Sequence, residues 1–327
     1  MFIKSIRTNL KTNVDYETHE PDAQYLFIYG KNASGKSALV HSIELALTGM
    51  VTDAAGRDIK QQVYLDALAN GPKAQVEVIV STDGATSTHD GKKPRYCHVM
   101  YDALSAISGS GNALIDYLLK HGTNYDDKVT GVSLDYPSWD KWEERYGTRG
   151  ALSQIKTAAG SALRAHRAEV KELLVAMKYH DDPDLRLMLA SAKENEATAK
   201  ELQGKVTKAA RAWVEAIAPA VVGMAHPLVP LRFHFRPKEV RLSLPSGGAV
   251  PSGTEMVEAA IGLAYATRSA DTAVYVLPDR AYDPDRLARL LRILRYVPCA
   301  AAVVQSPILP NTATYNYSNF WGHHDVD

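Results

Sequence analysis

The sequence lacks an excess of either charge: Lys and Arg together number 37, and so do Asp and Glu. With no overall field to attract polyanions, any contact with nucleic acid has to come from a local patch. Cysteine is scarce, with only Cys97 and Cys299. They lie far apart and match no metal-ligand spacing, which suits a reducing cytoplasm, and both read as small buried apolar residues. There is no run of about 18 apolar residues, and Met1-Phe2-Ile3-Lys4-Ser5-Ile6-Arg7 has no apolar leader with a cleavage site. The expectation is a soluble cytoplasmic protein without a membrane partner.

What is present is enough apolar material, 46% of 327 residues, for one large α/β domain and a smaller appended one. Strand-forming residues cluster at Met1–Arg7 and at Gln24–Tyr29, and the second cluster stops at Gly30. From Lys36 the residues Leu39, Val40, Ile43, Ala46 and Leu47 recur at helical spacing, ending near Gly49. Ala74–Ser81 reads as a strand leading into a polar turn, so a hairpin is expected there. Between about Arg149 and Ala218 the composition turns to Ala, Lys, Glu and Arg with helical periodicity, broken at His180-Asp181-Asp182-Pro183-Asp184. Leu185, Leu189, Ala192, Ala199, Leu202, Val206, Ala209 and Trp213 would form the seam of an antiparallel helical hairpin with arms of roughly 40 Å. Either a projecting arm or a pair packed on the domain fits this pattern. After Pro219 strand-like text returns, followed by a helix from Gly253 to about Arg268 and a buried strand at Ala273–Leu277. A helix led by Asp283-Pro284-Asp285 and a strand at Ala300–Val304 complete the pattern. From Pro310 no regular structure is expected.

The residues Gly30-Lys31-Asn32-Ala33-Ser34-Gly35-Lys36-Ser37 satisfy G-x-x-x-x-G-K-[ST] and lie between an expected strand and an expected helix, the context in which this motif binds phosphate. Backbone N–H groups of such a loop and the positive end of the following helix, from Ala38 onward, make a concave anion site. Lys36 would reach the β and γ phosphates of ATP, and the Ser37 hydroxyl would ligate Mg²⁺.

The wider text from Tyr25 to Gly49, Y-L-F-I-Y-G-K-N-A-S-G-K-S-A-L-V-H-S-I-E-L-A-L-T-G, resembles the SMC, RecF and SbcC-type ATPases of DNA repair and chromosome maintenance. These are ABC-like P-loop proteins. The resemblance implies an α/β P-loop NTPase fold, an ABC-type ATPase head with a mixed sheet. Residues 1–148 and 221–327 would make the head and 149–220 the inserted hairpin. It implies a signature opening a helix, which Ser252-Gly253-Thr254-Glu255 looks like and which would meet a partner's γ-phosphate. The same four residues also suit a plain N-cap with Glu255 completing a capping box. The family's Walker B strand ends in Asp-Glu, whereas here Val274-Tyr275-Val276-Leu277 is followed by Pro278-Asp279. Asp279 would then activate water or support Mg²⁺. Asp283 resembles the family's D-loop acid, and Gln61 or Gln62 would sense Mg²⁺, unless they are simply an exposed pair. At the switch position after Ala300–Val304 stand Gln305 and Ser306 instead of His; His323 and His324 read as a solvated tail. Basic clusters at Arg164–Lys171 and at Arg286, Arg289, Arg292 and Arg295 are either DNA contacts or solvated helix faces.

The insert is too short for a long SMC arm and has no Cys-x-x-Cys hook, so a compact RecF-like head is the better comparison. The implied function is an ATP-binding, slowly hydrolysing switch in DNA repair, recombination, replication or genome defence. It would act as a homodimer or with a partner subunit, two heads sandwiching ATP. The alternative is a non-hydrolysing ATP-binding scaffold for a partner such as a nuclease. A transporter ATPase is disfavoured by the form of the loop and by the mid-chain insert.

Overall fold

The computed structural model describes residues 2–10, 17–22, 24–29, 36–52, 58–59, 62–82, 85–92, 99–109, 111–129, 131–137, 139–180, 182–245, 253–267, 275–277, 284–294, 296–297, 299–303 and 320–322. In chain order the strands and helices of the first part are β1 (Phe2–Thr8), β2 (Glu17–His19), β3 (Tyr25–Tyr29), α1 (Lys36–Thr48), β4 (Val51–Thr52), β5 (Asp58–Ile59), α2 (Gln62–Asp66), β6 (Val76–Thr82), β7 (Ala85–His89) and α3 (Val99–Ser108). Then come α4 (Ala113–His121), α5 (Trp139–Ala176), α6 (Pro183–Ala225), β8 (Arg232–Arg236) and β9 (Glu239–Ser243). The chain ends with α7 (Gly253–Thr267), β10 (Tyr275–Val276), α8 (Pro284–Leu294), β11 (Ala300–Val303) and β12 (Phe320–Gly322).

The protein divides into two compact units. The first joins Met1–Ser108 to Ala225–Arg232 and Leu242–Asp327, so both ends of the chain build one body. It is mixed α/β. One sheet is antiparallel, in the order β2-β1-β6-β7. The other is parallel, in the order β10-β11-β3-β12. α1 packs on β1 and β6 of the first sheet and on β10 and β11 of the second, and every residue from Ala38 to Leu47 except His41 is buried. A helix apolar on all sides is a core helix, and its core cluster spans both sheets: Ile3, Ile6, Val78 and Val80 from one, Leu26, Ile28, Val276 and Ala301 from the other. Cys299 sits in the same cluster, and burial pushes its thiol up to about 12, leaving it an inert apolar residue. Cys97 lies outside the described residues.

The β6–β7 hairpin agrees with the sequence expectation, and it closes the C-terminus of α1. The Gly49 N–H donates to the Leu45 carbonyl (2.9 Å), and the Gly91 N–H, from beyond β7, donates to the Ala46 carbonyl (2.9 Å). Two otherwise orphaned helix-end carbonyls are thereby satisfied. Gly91 holds φ at +80°, and a Cβ there would stand 2.8 Å from the Leu45 carbonyl oxygen.

The second unit comprises Gly109–Met224 and Phe233–Arg241. α5 begins earlier than the expected Arg149 and is interrupted at Gly147 (φ 70°, ψ 167°). α5 and α6 lie antiparallel: Gly160 faces Gln203, and Arg167 pairs with Glu196 at 3.1 Å, two contacts on a single register. Of the expected seam, Leu189, Ala192, Ala199, Val206 and Trp213 are buried, while Leu185, Leu202 and Ala209 are only partly so. The alternate heptad positions are filled by Leu189, Glu196, Gln203, Ala210 and Ile217, whose polar members escape an apolar scan. α6 also runs through Pro219 to Ala225, six residues past the point where a return to extended chain was expected. Proline costs one backbone hydrogen bond, and burial of Ile217, Ala218, Val221 and Ala225 around it offsets that loss.

Replacing Gly91 by Ala adds a steric conflict with α1 to an unfavourable φ, and is expected to destabilise the first unit by roughly 2 kcal/mol. Urea unfolding followed by tryptophan fluorescence and circular dichroism checks this; an unchanged midpoint would contradict the capping role.

Candidate functional site at the carboxyl edge of the parallel sheet

The order β10-β11-β3-β12 puts three strand ends beside the start of the phosphate-loop motif. Tyr275, Ala300 and Tyr25 are level with one another, as are Val276, Ala301 and Leu26. β11 continues to Val303, opposite Ile28, and β12 ends at Gly322, opposite Tyr29. The Leu277 N–H donates to the Ala301 carbonyl (2.9 Å), carrying β10 one residue further. All four strands point the same way, so the segments that follow them leave from one edge, the edge at which parallel α/β sheets bind ligands. After β3 comes Gly30–Gly35; after β10, Pro278-Asp279; after β11, Gln305-Ser306; after β12, His323-His324. β10 lies two strand spacings from β3, roughly 10 Å.

Gly30, Lys31, Asn32, Ala33, Ser34 and Gly35 fall outside the described residues, as do Ser252, Pro278, Asp279, Asp283, Gln61, Gln305, Ser306, His323 and His324. The described part of the loop motif is its helical end. Lys36 and Ser37 are the first two residues of α1, half-buried, and Ala38 behind them is buried. A strand ending at Tyr29 and a helix beginning at Lys36 are the context the motif demands. The start of α1 is fixed in depth by Ser42, whose hydroxyl donates to the Ala38 carbonyl (2.6 Å) and lies 2.7 Å from the Thr8 hydroxyl of β1; Thr8 in turn accepts from the Leu10 N–H at 2.9 Å. Tyr25 at the head of β3 donates to the Val297 carbonyl (3.1 Å), holding the approach to β11 beside it. These contacts suit a site for an anion at the α1 N-terminus, with its cation ligands drawn from the same edge.

The second candidate segment is described from Gly253 onward. Gly253 opens α7 and is exposed, and Glu255, in the first turn, is partly buried. Both the N-cap and the signature reading place these residues at a helix start. Asp283 directly precedes Pro284, the first residue of α8. Gln62 is exposed, and its amide donates to the Asp66 carboxylate (2.7 Å), which also accepts from the Ala74 N–H (2.7 Å). The Ala74 and Gln62 hydrogen bonds hold the Asp66 carboxyl below its ordinary range. Gln62 is therefore engaged within its own turn, as an ordinary surface residue would be.

Of the basic clusters, Arg167 is paired with Glu196, and Arg164 donates to the Ser161 hydroxyl at 3.1 Å. On α8, Arg289 and Arg292 line a shallow groove of about 350 Å³ with Pro227, Leu228, Ile293 and Tyr296. Among the described residues no group of three or more His, Cys, Asp or Glu side chains is placed to hold a metal, and no helix is long and apolar enough to cross a membrane.

The tail departs from expectation. Phe320–Gly322 forms β12 against the open side of β3, with Phe320 opposite Phe27. Three residues carry no period that a sequence scan can detect; the strand exists because β3 offers it an unpaired edge. An ion pair also escaped the sequence reading: Glu258, buried on α7, lies 3.0 Å from Arg289 on α8.

No family model matches the chain, and no curated protein matches it. Among solved structures it is similar to the recombination mediator protein RecF of the RecFOR pathway bound to ATP (12% identity, 93% of this chain and 92% of that one, TM-score 0.46). It is also similar to the Smc head domain of Pyrococcus furiosus bound to the C-terminal domain of ScpA (16% identity, 98% and 93%, TM-score 0.40). The Smc head domain of Pyrococcus yayanosii is a third (12% identity, 94% and 92%, TM-score 0.41). Likeness at these scores is one of general layout, and residue roles have to come from this chain's own geometry.

Proposed function

We propose that this chain is an ATP-binding molecular switch of the SMC and RecF type, in which ATP held at the carboxyl edge of the parallel sheet draws two heads together. The observation that carries this reading is the position of the G-x-x-x-x-G-K-S motif: it links β3 to the buried helix α1, with the end of β10 on the same edge. Gly30–Gly35 would wrap the phosphates with backbone N–H groups, and Lys36 would neutralise the β and γ phosphates. Ser37 and Asp279 would hold Mg²⁺. When bound, that ion supplies charge neutralisation at the transferring phosphoryl group. Ser252, Gly253, Thr254 and Glu255 would face the nucleotide of a second head, and Asp283 would line the same interface.

The process served is DNA repair, recombination, replication or genome defence, with DNA or a nuclease as the further partner and the cytoplasm as its place. Pro278 favours a second reading, the non-hydrolysing scaffold, because it occupies the position where the family keeps its metal-supporting acid. Steady-state ATP turnover, with and without DNA, separates the two.

If Asp279 orients water, its side chain is one methylene shorter than Glu, and a misplacement of about 1 Å costs on the order of a hundredfold in rate. Turnover is expected to be slow, and Asp279→Asn to abolish it with ATP affinity nearly unchanged; activity that survives this change would assign the chemistry to another residue. Ser252→Arg is expected to block association of two heads. Light scattering that gives one mass for wild type and variant, with or without a non-hydrolysable ATP analogue, would contradict the sandwich.

A further inference from the structure

α7 is packed on every side. Residues Val257 to Leu263 are buried apart from what glycine leaves open at Gly262, where a Cβ would meet Val229 at 2.9 Å. From Met256 to Thr267 the helix carries a single charge, Glu258. That side chain is only 4% exposed and lies 3.0 Å from the guanidinium of Arg289, which is itself 51% exposed. The pair is thus anchored in the core at one end and open to solvent at the other.

A buried ion pair is a poor device for stability alone. Removing two charges from water costs about as much as their attraction returns, and apolar residues of similar volume commonly do as well or better. Removing one partner is far worse, because it strands the other. What such a pair supplies is geometry: an ionic contact at 3.0 Å is satisfied in one relative placement of two helices, whereas apolar packing tolerates sliding.

The placement fixed here is specific. Glu258 lies five residues after the first residue of α7, and Arg289 five residues after the first residue of α8. Each is therefore roughly 8 Å along its helix from the N-terminus. The α7 start carries Gly253–Glu255, and the α8 start is led by Asp283.

We propose that Glu258 and Arg289 are positioning residues that lock the first turns of α7 and α8 together, so that the two helix starts meet a second head's nucleotide as one rigid surface. This rests on the reading of Ser252–Glu255 as the segment facing that nucleotide. The pair touches neither substrate nor metal; it acts through the helices it joins.

The test uses the full chain with both residues replaced, Glu258→Met with Arg289→Met, which keeps the volume and leaves no stranded charge. The unfolding midpoint is expected to stay at or above that of wild type. Amide exchange across residues 253–258 is expected to accelerate at least about tenfold, ATP affinity of the single chain to stay within about twofold, and association driven by a non-hydrolysable ATP analogue to weaken at least about tenfold. Arg289→Lys, which keeps the charge, is expected to restore part of that association. Exchange and association that match wild type in the double variant would overturn the role of the pair, as would a loss of association that merely follows a loss of stability. A wild-type chain that binds ATP and never associates would instead overturn the signature reading on which the proposal stands.

Discussion

The burial of α1 between two sheets is the constraint on which the rest of the first unit depends. A helix with apolar residues all round has no solvent face to turn outward, so its rotation and depth are set by β1 and β6 on one side and β10 and β11 on the other. The Ser42–Thr8 contact and the Gly91 cap fix it along its axis. Lys36 and Ser37 inherit that fixity as its first two residues. A phosphate-binding lysine at the start of a helix free to slide would be of little use, since orientation at the ångström level decides what such groups contribute.

The same constraint explains the split topology. β3 and α1 come from the first part of the chain, while β10, β11 and β12 come from the last 53 residues, yet all four parallel strands finish at one edge. α1 can be covered only if the C-terminal strands return to it, so the body that buries the helix is also the body that collects Asp279 and the phosphate loop on neighbouring segments of chain. The unit built from Gly109–Met224 and Phe233–Arg241 is an excursion between the two halves, with its own core around Trp213, Val206 and Leu163. Tyr125 belongs to that core, where burial pushes its phenol up to about 12.

The parts legible in the sequence are those whose signal is local. β3, the glycine loop and α1 follow one another with unmistakable chemistry, and α7, α8 and β11 show their periods plainly. Where partners distant in the chain decide, the sequence is silent. β12 is three residues made into a strand by the edge of β3. Half of the α6 heptad is hidden because Glu196 and Gln203 occupy it opposite Arg167 and Gly160. α6 crosses Pro219 because apolar burial outweighs one lost hydrogen bond. The Glu258–Arg289 pair joins residues 31 positions apart, and no single-sequence pattern selects it from the other charges on α8.

The central claim is that the junction of β3 and α1 holds the phosphates of ATP, and calorimetric titration of ATP with Mg²⁺ into wild type and Lys36→Ala tests it most directly. The account predicts one binding site per chain in the wild type and a severe loss of affinity in the variant, because a site built around the β and γ phosphates is left without its cation. Equal affinity in the two proteins would contradict it.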